Sequence, residues 1–214
     1  MTVHCFTSIS FSYLNRARVL GETIKKFHPD WVTWLLISDI ELEEFNFNIE
    51  DEPWDNVFYS NNLEIDNIYG WMFKHDVVEL CTAVKGPFLE WLLTTQTADK
   101  VIYLDPDIAL FNSLSNVVKV LDQSSIVLTP HQIAYDNEHT SILDNEVSCL
   151  IHGTYNLGFI AVKNDSEGKK FSKWWSHRCK NYCYDDKPSG LFVDQKWCDL
   201  VPAYFENVHI LRDP

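Results

Sequence analysis

Two aspartates one residue apart, Asp105 and Asp107 in the segment KVIYLDPDIALF, follow directly on a run that reads as a buried β-strand. Carboxylates that close repel each other unless something positive lies between them. In an extended backbone the side chains at i and i+2 share a face, so both can turn toward one hard cation, with Pro106 stiffening the link. Oxygen ligands alone suit Mg²⁺ or Mn²⁺. The residues leave a second reading open. Asp-Pro-Asp is also an ordinary turn at a strand exit, with its carboxylates accepting from backbone amides.

The elements around the motif indicate where it must sit. VHCFTSIS reads as a first strand, LNRARVLGETIKKF as an amphipathic helix, and WVTWLLISD as a nearly all-apolar second strand ending in Asp39. IELEEFNFNIEDEPWDN is acidic and poorly periodic, a surface excursion before a short strand near Val57 to Tyr59. WMFKHDVVELCTAVKGPFLEWLLTT predicts a helix to about Val84, a break at Gly86-Pro87 and a second helical piece. KVIYLD is then the fourth strand. A helix at SLSNVVKVLDQ, a strand at SSIVLTP and an irregular stretch to His152 follow it. After these come the strand YNLGFIAVK, the helix EGKKFSKWWSHRCKNYC, a short helix in FVDQKWCDLVPAYF and a final strand in NVHILRD. Strands alternating with helices define a three-layer α/β domain with a mostly parallel central sheet, spanning residues 1–214, whose ligands lie at the carboxyl ends of the strands. Asp105 and Asp107 fall at such an end.

Composition narrows the chemistry. A formal charge of −14 argues against nucleic acid, whose phosphates need a surplus of lysine and arginine. Any anionic ligand must instead be met by a metal ion, a helix N-terminus or a single well-placed cation such as Lys85. No run is long and apolar enough for a membrane span, and MTVHCFTSIS lacks the form of a signal peptide, so the expected location is cytoplasmic. The six cysteines show no CxxC pairing, so reduced buried thiols are expected rather than disulfides or zinc. Haloacid dehalogenase phosphatases also place Asp-x-Asp after a strand, but after the first one and followed by Thr or Val. Here the motif follows the fourth strand and continues IALF. His75-Asp76 lacks companion histidines and reads as a solvated helix face.

Taken in order, VIYLDPDIALF, YNLGFIAV and FVDQKW resemble the Asp-x-Asp, Asn-x-Gly and Asp-Gln segments of GT-A glycosyltransferases of the glycogenin and galactosyltransferase group. FTSISFSYLNRARVLGETIKKFHPDW and LLISD look like the nucleotide-binding first half of bacterial members, so the resemblance runs over nearly the whole chain. It implies a hexosyltransferase-like enzyme that moves a sugar from a nucleoside-diphosphate-sugar, a UDP-sugar as first expectation, to a carbohydrate acceptor. On this resemblance Asp105 and Asp107 hold Mn²⁺ or Mg²⁺ between the donor phosphates, with Asp107 the more direct ligand and Asp105 also near the ribose, and Lys85 contacts the donor. Thr7, Ser8 and Asp39 line the nucleoside pocket. Asn156 and Gly158, with Asp194 and Gln195, sit at the donor sugar. Each has a plainer role open to it: Gly158 can permit close packing, Asn156 can cap a turn, and Asp194 can be the N-cap of QKWCDLV.

One departure stands out. The resembled group supplies a third metal ligand, a histidine, from beyond the last strand, whereas this chain stops at ILRDP and reads as shortened. His131 is a candidate substitute, set against a histidine hydrogen-bonded in the core. Two other functions remain: a non-catalytic nucleotide-sugar or carbohydrate-binding domain of the same fold, and a sugar nucleotidyltransferase. The latter is disfavoured because TSISFSYLNRAR has no glycine after the first strand.

Overall fold

β1 (Val3–Ile9) is buried at every position, as a strand covered on both faces must be. The computed structural model describes residues 1–39, 47–96 and 98–212, so the acidic run 40–46 lies outside the described residues. β2 (Val32–Ile37), β3 (Asn56–Tyr59) and β4 (Lys100–Leu104) follow, then β5 (Ile126–Pro130), β6 (Tyr155–Lys163) and β7 (Val208–Ile210). They form a seven-stranded sheet in the order β3-β2-β1-β4-β6-β5-β7. All neighbours are parallel except β6, which runs antiparallel to both β4 and β5.

That reversal positions the site. Because β6 runs backwards, its beginning lies beside the end of β4, with Phe159 opposite Leu104. Asn156 and Gly158 therefore reach the same edge of the sheet as Asp105.

Alternation along the strands sorts the core into two layers. On one face Phe6, Trp34 and Tyr103 pack against Phe88 and Leu92 of α4 (Lys85–Thr94) and against Phe171 and Trp175 of the helix Ser166–Tyr182. On the other, Cys5, Leu35 and Ile102 pack against Leu20 and Ile24 of α1 (Leu14–Phe27) and Leu121 of α5 (Ser115–Gln123). The three layers agree with the architecture expected from the sequence.

Two expectations are corrected. The helix to about Val84 is two helices, α2 (Ile68–Phe73) and α3 (Val77–Ala83), because Asp76 caps the second. Its carboxylate accepts from Glu79 N while the Glu79 side chain accepts from Asp76 N, a capping box written in the sequence as DVVE. His75-Asp76 is thus a helix boundary rather than a solvated helix face. Gly86-Pro87 does not break the chain, since both lie in the first turn of α4, where proline lacks no needed donor. Gly86 instead lets α4 approach the helix Ser166–Tyr182, where a Cβ would stand 3.0 Å from Ser176 Cα and Cys179 Sγ.

The irregular stretch before His152 is helical over 139–152, with a π-helical centre at Ile142–Val147. None of its residues is buried, so it carried no apolar stripe to read. All six cysteines are free thiols.

Candidate active site

Tyr103 and Asp105 are two residues apart and so leave β4 on the same face, the one that carries α4. Pro106 is buried, which turns the chain outward and leaves Asp107 exposed. Both aspartates line a cavity of about 330 Å³, together with Ser8, Ser10, Tyr13 and Lys85. Its floor is the carboxyl end of β1 and β4, and α3 forms one wall.

Lys85, the first residue of α4, is only 4% exposed. Its Nζ donates to Leu157 O at 3.2 Å and to Asp105 Oδ1 at 3.4 Å, and it stands 3.3 Å from Asp194 Oδ2 as an ion pair. It also lies 4.3 Å from the centre of the Tyr103 ring. Burial opposes a charge on this amine, but Asp194, Tyr103 and Asp105 overcome it and hold the lysine pKa well above its usual value. Asp194 is itself 1% exposed, and burial raises its pKa, with Lys85 working against the rise. Lys85 is therefore a buried ammonium whose donors face two carboxylates and a carbonyl.

Asp105 is held on one oxygen. Tyr103 donates to Oδ1 at 2.5 Å and Lys85 reaches the same oxygen, while the Asp105 backbone N donates to Gly158 O at 2.8 Å. Gly158 is small for a reason: a Cβ there would stand 2.9 Å from Asp105 Oδ2. Among the described residues nothing else takes up Oδ2, and nothing takes up the Asp107 carboxylate.

The other sequence-predicted residues divide. Ser8 lines the cavity and its Oγ lies 3.3 Å from Ser38 Oγ. Thr7 points to the opposite face, fully buried, with its Oγ1 unpartnered among the described residues, so it does not line the cavity as expected. Asp39 accepts from Phe11 N at 2.7 Å, which ties down the loop after β1. Asn156 Oδ1 accepts from Gly158 N at 2.8 Å, the turn-capping role. Asp194 lies behind Lys85 rather than at a surface, and its side chain caps no helix. Gln195 donates through Nε2 to His152 O at 3.1 Å and faces Leu157 N through Oε1 at 3.5 Å.

A second, larger cavity of about 540 Å³ is lined by Gln195, His131, Ser148, His152 and Phe192. His131 is exposed at its rim rather than bonded in the core. Among the described residues no group of three His, Cys, Asp or Glu side chains is spaced to hold a metal, so His131 does not join Asp105 and Asp107.

Two structural features beside the site lie outside the sequence reading. Tyr103 could have been found by counting two residues back from Asp105 along the strand. Val193 could not: it adopts φ 38°, a left-handed conformation costly for a β-branched side chain, immediately before Asp194.

The donor set suits a hard divalent cation. Mg²⁺ is commonly held by one or two carboxylates and completes its shell with water and substrate phosphates. Asp105 Oδ2 and the unpaired Asp107 offer that pair at the edge of one cavity.

The seven-stranded, mostly parallel sheet with its reversed β6 is shared with solved GT-A glycosyltransferases, so the chain has the GT-A fold. Its structure resembles the glycosyltransferase GlyE of Streptococcus pneumoniae TIGR4, with a TM-score of 0.55, 14% identity, and coverage of 99% of this chain and 45% of that one. Galactosyltransferase LgtC, solved in complex with donor and acceptor sugar analogues, aligns with a TM-score of 0.53 and 15% identity over 98% of this chain and 73% of its own. Mouse xyloside xylosyltransferase 1 aligns at 0.51 and 14% identity, over 98% of this chain and 84% of the mouse one. The chain thus spans less than half the length of GlyE and about three quarters of LgtC. No protein-family model matches the sequence, and no curated protein matches it. Among the described residues no helix is long and apolar enough to cross a membrane.

Proposed function

We propose that the protein is a metal-dependent glycosyltransferase, taking a sugar from a nucleoside-diphosphate-sugar donor, a UDP-sugar first, to a carbohydrate acceptor. The observation that carries this reading is the pair Asp105 and Asp107 at the carboxyl end of β4, lining one cavity with the end of β1 on a GT-A fold. Ser8, Ser10 and the exposed ring of Tyr13 receive the nucleoside. Asp105 and Asp107 hold Mn²⁺ or Mg²⁺ against the diphosphate. When bound, the ion neutralises the charge that gathers on the leaving diphosphate as the glycosidic bond breaks.

Lys85 keeps a positive charge at the floor of the site and fixes Asp105 and Asp194 around it. Gln195 lines the larger cavity, and with Asn156 and Gly158 it faces the transferred sugar on this reading. The larger cavity, with the His152 and Phe192 rings 4.7 Å apart, receives the acceptor.

The test is calorimetric titration with UDP and GDP, with and without Mn²⁺, followed by measurement of nucleoside diphosphate release from UDP-sugars. Metal-strengthened nucleotide binding with turnover supports the proposal. Nucleotide binding that ignores the metal refutes it.

One observation favours a second reading, a nucleotide-sugar-binding domain without turnover. The described residues offer only two metal ligands, and Asn156 and Gln195 are both occupied in bonds to the backbone. Metal-dependent binding without release of nucleoside diphosphate from any donor would select it.

A further inference from the structure

The Asp105 carboxylate is held asymmetrically, and the group that holds it was not among the residues first assigned to the site. Tyr103 is 1% exposed and packs its ring 4.9 Å from that of Phe6, a role phenylalanine fills as well. Its hydroxyl is what phenylalanine lacks, and at 2.5 Å from Asp105 Oδ1 it makes a bond of the length found between a hydroxyl and a carboxylate. Lys85 Nζ reaches the same oxygen and lies over the same ring.

From this arrangement, and resting on the metal-dependent reading above, we propose that Tyr103 is a positioning residue of the cation site. Tyr103 and Lys85 clamp Oδ1 of Asp105 so that Oδ2 is reserved for the metal.

A carboxylate on a short side chain is otherwise free to rotate and exchange its two oxygens. Two donors on Oδ1 stop that rotation. Oδ2 is then turned toward Gly158, beside the Asn156 side-chain oxygen, an acceptor that offers it no hydrogen bond. Asp107, by contrast, is exposed and unpartnered among the described residues, so it cannot impose an orientation of its own. The preorganisation of the pair therefore resides in Asp105 and reaches it through Tyr103. Residues that orient a metal ligand without touching the metal typically change metal affinity 10- to 100-fold when removed.

The experiment measures Mn²⁺ affinity by electron paramagnetic resonance, with UDP present, in four proteins: wild type, Tyr103→Phe, Asp105→Asn and the double variant. Calorimetry of UDP in EDTA reports whether the nucleoside pocket is intact, and thermal unfolding reports the fold. Tyr103→Phe is expected to weaken Mn²⁺ by about tenfold or more while metal-free UDP binding is unchanged. In the Asp105→Asn background the same substitution is expected to do nothing further, because its effect travels through Asp105.

An equal loss in both backgrounds makes Tyr103 a structural residue and overturns the proposal, as does an unchanged affinity in Tyr103→Phe. If Asp105→Asn loses Mn²⁺ but Tyr103→Phe does not, the metal reading stands and the clamp falls. If wild type shows no Mn²⁺ binding with UDP, both fall together. The double variant removes both partners of the bond, so it leaves no buried hydroxyl seeking a carboxylate and remains a usable protein even if one single variant unfolds.

Discussion

Gly158→Ala should separate metal binding from stability. A methyl group at this position would stand 2.9 Å from Asp105 Oδ2 and 2.8 Å from Asn156 Oδ1, where ordinary contact begins at 3.4 Å. Each oxygen must retreat by roughly half an ångström to restore normal contact. Asn156 is exposed and can swing away, giving up its bond to Gly158 N at a cost of about 1 kcal/mol. Replacing a strand glycine recovers about 0.5–1 kcal/mol of backbone entropy, so the net change in stability is small. Asp105 has no such freedom, because Tyr103 and Lys85 hold its other oxygen and Gly158 O holds its backbone N–H. The methyl therefore displaces the one oxygen left for the cation. Metal–oxygen bonds near 2.1 Å tolerate little of that displacement, and the expected loss is at least about tenfold in Mn²⁺ affinity, roughly 1.4 kcal/mol. Mn²⁺ titration in the presence of UDP, alongside thermal unfolding of the same samples, reads both quantities. A variant that binds Mn²⁺ as tightly as wild type refutes the placement of the cation at Oδ2. A variant that unfolds several degrees lower refutes the claim that Asn156 absorbs the strain.

Asp107→Asn removes a charge that no described residue uses, so it should leave the melting temperature unchanged and abolish the metal dependence of UDP binding, a loss of at least about tenfold; equal calorimetric affinity in wild type and variant would return Asp-Pro-Asp to a simple turn. Lys85→Met strands Asp194 and Asp105 beside an apolar chain and should cost about 3–5 kcal/mol in urea unfolding, part of it regained by adding Asp194→Asn; full stability in the single variant would mean the buried ion pair is not formed. His4, His28 and His75 all have pKa values lowered chiefly by burial. An imidazole kept neutral in the fold binds fewer protons than the unfolded chain does. Its contribution to stability is present in full above the unfolded pKa near 6.5 and is lost as pH falls toward the lowered folded values. Denaturant midpoints should therefore drop between pH 7 and pH 5, and His28→Gln should flatten part of that slope; a parallel pH profile in the variant would exclude His28 as a contributor.

Legibility in the sequence followed the strength of the physical signal. Strands buried on both faces, such as VHCFTSIS and KVIYLD, announce themselves as continuous apolar runs, and the three-layer architecture follows from their alternation with helices. Their ends were equally clear, which put Asp105, Asp107 and Ser8 at one edge without coordinates. The direction of β6 was not legible, because an apolar run reads the same whichever way its strand is laid. Yet that direction is what carries Gly158 to Asp105. The helix at 139–152 was missed because exposed residues on all sides give no period to detect. Thr7 was expected at the nucleoside pocket together with Ser8 from the family resemblance, which does not distinguish the two faces of a strand. Carrying the alternation through Cys5 and Ile9 puts it on the α1 side. The break at Asp76 was present as DVVE, and was passed over because the apolar pattern on either side continues. Lys85 is expected to contact the donor from the family resemblance; its burial beside Asp105 and Asp194 comes from α4 packing, which no local pattern encodes.

The charge arrangement explains why the two carboxylates sit where they do in a chain already at −14. At the end of β4 one lysine faces Asp105 and Asp194, with Asp107 beyond, so the group carries more negative than positive charge. A diphosphate entering such a site is repelled, and Lys85 cannot turn to meet it without leaving the buried Asp194 and the half-buried Asp105 unpaired. The protein gains nothing from this arrangement if its ligand is the bare anion. On the proposed metal-dependent reading a divalent cation reverses the balance: it neutralises Asp105 and Asp107 and leaves Lys85 committed to the interior. Its remaining coordination positions are open to phosphate oxygens. On that reading, selectivity for the metal-bound nucleotide over the free one would come from the acidic surroundings themselves, because the surplus that repels an uncompensated diphosphate attracts the ion that must accompany it. Holding Asp105 through Tyr103 while leaving Asp107 exposed and without a partner among the described residues fits that proposed task, since one fixed ligand would set the position of the ion and one unrestrained ligand would let it arrive and leave with the nucleotide.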